Sequence, residues 1–237
     1  MAVRIAVTLA ALVICANVAM AADSRTGAYP TRPVRFIVAQ SAGGNADFVA
    51  RMVTAELSKQ LGQQFVVDNR GGGGGGVLAA ELVARATPDG YTMLLVGSSF
   101  GVNPSLYKKL PYDSERDLAP ITLAFAASLL RNTQVRILAM SAPNRLPGVL
   151  AEVPTWREQG YDIVVTNWRG FVGPKGMSAA QIAYWENVLK RLSESDEWKA
   201  ELETNFWSGD FMGSADMLKF LERDNAQARG FLVDIGL

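Results

Sequence analysis

The sequence predicts an α/β lobe, a parallel β-sheet flanked by helices. Three observations carry that reading. Between residues 34 and 96, three short apolar runs alternate with two stretches of helical periodicity. The loops joining them are short, and strand-helix-strand order with short loops forces right-handed crossovers between parallel strands. Each strand then opens onto a loop rich in glycine, serine or both, at what would be the carboxyl edge of the sheet.

The elements follow in chain order. Val34-Arg-Phe-Ile-Val-Ala39 is an apolar run bounded by Pro33 and a glycine pair, hence a buried strand. Ser41-Ala-Gly-Gly-Asn45 is a loop. Residues 46–61 place Phe48, Val49, Met52, Val53, Leu57 and Leu61 on one helical face, and Gly62 stands where a helix-ending glycine belongs. Phe65 to Val67 is a second strand, 77–86 a second helix, Pro88-Asp-Gly90 a turn, and 91–96 a third strand. Residues 121–126, 135–140 and 162–172 read as further strands, the last interrupted by Gly170. Pro143 to Pro154 reads as a loop, and Thr155 to Gln159 as a short helix stopped by Gly160. The remainder is helical. Ser178 and Gln181 have capping-box spacing ahead of the stripe Ile182, Trp185, Val188, Leu189 and Leu192, and Ser195 and Ser214 are caps for two more helices. Trp198, Leu202, Phe206 and Trp207, at helical spacing, are read as core rather than as a ligand platform.

Residues 1–21 read as a secretory signal. Arg4 supplies the positive start, residues 5–18 the apolar stretch, and Ala19-Met-Ala21 the cleavage site. A lipoprotein signal using Cys15 is the alternative, disfavoured by the bulky Ile14 before it. Cleavage after Ala21 removes the single cysteine, so the mature chain has no disulfide or thiol chemistry. It also removes one basic residue from a chain with 23 basic and 23 acidic residues. A near-neutral balance argues against nucleic acid and against electrostatic membrane binding, and no direct membrane insertion is expected after cleavage. The chain has no histidine. That removes the commonest general base, the Ser/His and Cys/His pairs and most zinc sites, so neither a metal nor a cofactor is expected.

Six consecutive glycines, Gly71 to Gly76, separate the run Gln64-Phe-Val-Val-Asp-Asn69 from the helix that begins near Val77. Such a tract lets backbone N–H groups turn toward one point at a helix start, where the dipole is positive and the first amides lack partners. A flexible linker is the alternative. The loop at 41–45 and Ser98-Ser99 leave neighbouring strands at the same edge, the place where open α/β sheets bind ligands, and this convergence favours a site. Nucleotide signatures are incomplete. The tract follows the second strand rather than the first, Asp68 precedes it, and no Lys-Ser/Thr follows its last glycine. What remains is a set of amide-rich loops with Arg70 as the nearby basic side chain. Such loops suit carboxylates. Asp47, in the first turn of the first helix, either stabilises that helix start or contacts an amine or hydroxyl of the ligand.

Several segments in order carry a resemblance. They are Tyr29-Pro-Thr-Arg-Pro-Val-Arg-Phe-Ile-Val, the Gly43-Gly-x-x-Asp47 loop, Val67-Asp-Asn-Arg-Gly-Gly, Pro88-Asp-Gly-Tyr-Thr92, Asn103-Pro-Ser-Leu-Tyr107, Leu118-Ala-Pro-Ile-Thr122 and Trp168-Arg-Gly-Phe-Val-Gly-Pro174. Together they resemble the substrate-binding proteins of tripartite tricarboxylate transporters, the Bug family, most of all its citrate-type binder. The resemblance implies a type II periplasmic binding protein, a two-lobed clamshell that captures a di- or tricarboxylate without chemistry and delivers it to the transporter's membrane subunits. Carried over, the ligand loops hold Ser41, Ala42, Gly43, Gly44, Asn45 and Asp47, then Asn69, Gly72, Gly73, Gly74 and Gly75, with Ser98 and Ser99 as additions. Gln40-Ser-Ala departs from the proline-rich wording often found there. The larger departure is length. The block that builds most of the second lobe is missing, so residues 29–124 with 168–237 form the first lobe and 125–167 a remnant of the second, with Phe125, Leu129 and Leu130 left exposed. A non-functional deletion product and a phosphate-binding enzyme using Asp47 or Asp68 stay open as alternatives.

Overall fold

The computed structural model describes residues 29–127, 137–146, 148–162, 164–165, 167–205, 207–209, 211–234 and 236. The expected signal at 1–21 lies outside these residues, as do Leu129, Leu130, Phe206 and the side chain of Phe125. Seven strands are described: β1 (Val34–Val38), β2 (Phe65–Asn69), β3 (Thr92–Gly97), β4 (Leu118–Ala127), β5 (Trp168–Pro174), β6 (Trp207–Ser208) and β7 (Met212–Gly213). The helices are α1 (Asn45–Leu61), α2 (Val77–Ala84), α3 (Ser98–Leu106), α4 (Ala179–Glu194), α5 (Asp196–Asn205) and α6 (Ser214–Asp234).

The sheet order is β2-β1-β3-β5-β4-β6, with β7 also on β4. The first three strands are parallel, as their alternation with helices requires. The sheet is nevertheless mixed, because β5 runs antiparallel between β3 and β4. The two sheet faces carry two cores. Phe36, Val38, Met93, Leu95 and Phe171 pack against Val49, Val53 and Leu57 of α1 and Trp185, Val188 and Leu192 of α4. Ile37, Leu94, Val96 and Val172 turn the other way, onto Ala80 and Val83 of α2, Phe100 of α3 and Met217 of α6. The period-2 alternation of β1 and β3 thus feeds a helix layer on each side. Trp198, Leu202 and Trp207 are buried in the first core.

The helix boundaries follow local chemistry. Gly62 adopts a left-handed conformation and donates to the Ser58 carbonyl, closing α1. Ser178 and Gln181 form the reciprocal capping box of α4, and Ser195 Oγ accepts from the Trp198 amide at the start of α5.

Four expectations change. Ser98-Ser99 is not a loop but the first turn of α3, which runs through Pro104. The expected strand at 135–140 is reduced, among the described residues, to one bridge between Met140 and Thr155. Residues 155–159 form turns instead of a helix. Thr155 Oγ1 accepts from the Glu158 amide and the Glu158 carboxylate from the Thr155 amide, a capping box, but Gly160, left-handed at φ 90°, ends the turns before a helix develops. The strand expected over 162–172 starts at Trp168, and Gly170 lies inside it. A Cβ there would stand 2.7 Å from the Thr122 carbonyl oxygen of β4, so the close strand approach needs glycine.

Candidate functional site

Three helices begin at the carboxyl edge of β1, β2 and β3, and each is preceded by a glycine. Gly44 caps α1, Gly76 caps α2 and Gly97 caps α3, none with a side-chain cap hydrogen bond. A helix start normally recruits a Ser, Thr, Asp or Asn oxygen for its free amides. Omitting that oxygen at three neighbouring helices leaves amides and positive dipole ends available to something else.

The hexaglycine tract shapes the middle of this edge. Gly72, Gly73, Gly74, Gly75 and Gly76 have φ of 108°, 73°, 58°, 51° and 83°. A run of left-handed residues is open only to glycine. The tract is held from the side rather than left free. Asn103 of α3, buried, donates from Nδ2 to the Gly75 carbonyl at 2.9 Å. A Cβ at Gly76 would sit 2.6 Å from the Ala39 Cβ, so α2 starts directly against the end of β1.

Between these helix starts lies a cleft of about 320 Å³ lined by Ala39, Gln40, Ala46, Gly75, Gly76, Leu95, Val96, Gly97, Ser98, Ser99, Asn167 and Arg169. No described lining residue is acidic. Arg169 comes from β5, whose register sets it opposite Gly97. It is only 7% exposed. Its Nη1 donates to Asn167 Oδ1 at 2.6 Å and to the Trp168 carbonyl at 2.8 Å, and Nη2 to Asn45 Oδ1 at 3.5 Å. Among the described residues no carboxylate pairs with it. Burial lowers its pKa, yet a guanidinium stays charged at any physiological pH. Gly97 is what admits it: a Cβ there would meet Arg169 Nη1 at 2.8 Å.

Of the residues expected at the site, Gly75, Ser98 and Ser99 line this cleft, and Asn45 touches its arginine. The others stand around it. Ser41, Ala42 and Gly43 are exposed in the first loop, and Ser41 packs against Gly71, so the two glycine loops touch. Asn69 donates to the Gln40 carbonyl at 3.1 Å and ties the loops again. Gly72, Gly73 and Gly74 form the exposed outer part of the tract, and Gly44 caps α1. Asp47 is buried and faces its own loop. Its Oδ2 accepts from the Gly43 amide at 2.8 Å and Arg51 Nε lies 3.0 Å away. Arg70, the basic side chain the sequence offered, is exposed and paired with Asp68, which also binds Arg35. Sequence reading missed Arg169. Its one signal was its place in the Trp168-Arg-Gly segment.

The Arg51 hydrogen bond and the Gly43 amide hold the Asp47 carboxyl below its ordinary range. A depressed folded pKa gives stability that is present above the unfolded value, about 3.9, and is lost as pH falls through the folded one. Asp47→Ala should therefore cost about 1 kcal/mol at neutral pH, for the lost acceptor of the Gly43 amide. The gap to the parent should close in denaturant melts taken below about pH 4. A gap that persists there would mean packing, not charge, is the cause.

Residues 49–130 match the family model described as the tripartite tricarboxylate transporter family receptor. Over these residues the chain is similar to that receptor family. It is 47% identical over 102 residues to a UPF0065 protein of Bordetella bronchiseptica, covering 43% of this chain and 30% of that one. It is 35% identical over 124 residues to the protein BugT of Bordetella pertussis, covering 52% and 38%. The chain thus spans about a third of the length of the curated relatives it matches. Among solved structures it superposes on the periplasmic binding protein BugD with a TM-score of 0.75 at 21% identity, covering 88% of this chain and 99% of that one. A Rhodopseudomonas palustris protein with adipate gives a TM-score of 0.74 at 19% identity, covering 86% and 97%. MatC of the same organism, with bound malate, gives 0.69 at 21%, covering 85% and 99%. These likenesses show the fold of periplasmic binding proteins. Among the described residues, no helix is long and apolar enough to cross a membrane, and no group of acidic or cysteine side chains is placed to hold a metal.

Proposed function

We propose that this chain is an extracytoplasmic solute-binding receptor that captures a di- or tricarboxylate, citrate-like in class, for the membrane subunits of a tripartite tricarboxylate transporter. The observation that carries it is the convergence of three glycine-capped helix starts on a cleft with no acidic lining. Carboxylate oxygens fit such amides, and no group in the cleft repels them. The adipate and malate in two solved structures of this fold agree with that class. Residues 1–21 direct the chain out of the cytoplasm and are then removed. Residues 29–124 and 168–237 form the ligand-holding lobe, and 125–167 a reduced second lobe. Lobe closure excludes water and strengthens polar contacts, so a reduced second lobe gives weaker capture than a full clamshell.

Thermal unfolding of the mature chain with citrate, malate and adipate tests this reading. A ligand present at about 100 times its dissociation constant adds roughly 2.7 kcal/mol of stability. A cooperative melt that one of these acids raises supports it. A cooperative melt that none of them moves supports instead a folded deletion product without a binding role, the reading favoured by the short segment between β4 and β5.

A further inference from the structure

We propose that Arg169 is the residue by which the cleft tells ligands with two or more carboxylates from those with one. The inference rests on the carboxylate-receptor reading above. The helix starts of α1, α2 and α3 offer backbone amides and partial dipole charges, sufficient to seat one carboxylate but indifferent to what lies at the ligand's other end. Among the described lining residues Arg169 is the one full charge, and it enters from β5, a different strand from those that launch the helices. Its guanidinium is pinned. Both Nη1 hydrogens are taken, by Asn167 Oδ1 and the Trp168 carbonyl. Nη2 makes one long contact to Asn45. That leaves Nε–H and one Nη2–H without an acceptor among the described residues, two charged donors that a ligand carboxylate can use.

The electrostatics point the same way. A buried arginine normally has an acid beside it, since an uncompensated buried charge is costly. Here its neighbours are neutral amides and the positive ends of helices. A second carboxylate on the ligand supplies the missing counter-charge, and a monocarboxylate seated on the amides does not. Gly97, whose missing side chain admits the guanidinium, and Asn167, which fixes Nη1, then act as positioning residues.

Calorimetric titration with glutarate and butyrate, which differ by one terminal carboxylate, tests the assignment. The parent chain should bind glutarate at least ~30-fold more tightly than butyrate, the difference expected of a charge-assisted bidentate contact. Arg169→Gln should compress that ratio to about threefold or less while leaving butyrate binding within about threefold of the parent. Arg169→Lys keeps the charge without the fork and should fall between. If Arg169→Gln does not fold, the parent ratio and the lysine variant decide. A parent that binds both acids equally, or variants that weaken both equally, would overturn the role of Arg169 and leave the receptor reading standing. A folded parent that binds no carboxylate at all would overturn both.

Discussion

Gly76→Ala is expected to lower stability by about 2–5 kcal/mol and to weaken carboxylate binding by about tenfold or more, an effect out of proportion to a single methyl group. Two costs combine. At φ +83° a residue with a Cβ is strained by roughly 1–2 kcal/mol. The new methyl would also stand 2.6 Å from the Ala39 Cβ, at the end of β1, where neither group is a flexible side-chain tip. Overpacking a buried contact of that kind costs roughly 1–3 kcal/mol. Relief requires α2 to move away from β1, which carries its first amides out of the cleft and spoils a preorganised site. The control is Gly62→Ala. Gly62 is also left-handed, at φ +62°, but nothing lies within 4 Å of a Cβ there, so only the conformational cost, about 1 kcal/mol, should appear. Urea denaturation and calorimetry on both variants decide. Equal losses in the two would mean that the contact with Ala39 is soft and that the tract tolerates side chains.

That prediction depends on how different parts of the molecule were written into the sequence. The β1-α1-β2-α2-β3 order was legible because each element carries its own period. Val34 to Val38 is a short apolar run broken only by Arg35, whereas Val49, Val53 and Leu57 recur at helical spacing and land in one core. The glycine tract was legible as an anomaly, since no helix start needs six glycines. What held it was not. Asn103 reaches Gly75 from a different helix, and no local pattern announces a contact across that separation. The same holds for Arg169. Its place in the cleft depends on β5 returning antiparallel beside β3, a long-range pairing of Gly97 with Arg169 that periodicity cannot encode. The reading of a parallel sheet missed this return, so Arg70, adjacent in sequence, stood in for the arginine adjacent in space. The difference at 155–159 has another cause. The capping-box spacing of Thr155 and Glu158 was legible and forms, but the left-handed Gly160 follows too soon for a helix to propagate.

Trp185→Ala should be the most damaging core substitution, at about 3–5 kcal/mol, the range for deleting a buried large aromatic. The reason is where Trp185 sits. It lies on α4, in the C-terminal part of the chain, with no exposed surface, yet among the described residues its hydrogen-bond and ring partners precede the segment between β4 and β5, apart from Tyr184. Its Nε1 donates to Tyr29 Oη at 2.9 Å and to the Gly90 carbonyl at 3.0 Å, and its ring meets Tyr29 and Phe65 edge-on. The side chain therefore fastens the returning C-terminal helices to the strands that build the cleft. Against a total stability of roughly 5–15 kcal/mol, losing it threatens the whole lobe rather than one helix. Trp185→Phe separates the contributions. It keeps most of the packing and leaves Tyr29 and Gly90 without their donor, so a loss of about 1–3 kcal/mol is expected. A single cooperative transition shifted by these amounts would mean that residues before β4 and after β5 unfold as one body, as a ligand-holding lobe requires. A two-step melt in which the alanine variant moves only one step would mean that the C-terminal helices are a separable layer. The cleft, built by β1, β2, β3 and β5, would then have to survive without α4, and the first-lobe boundary at 168–237 would fail.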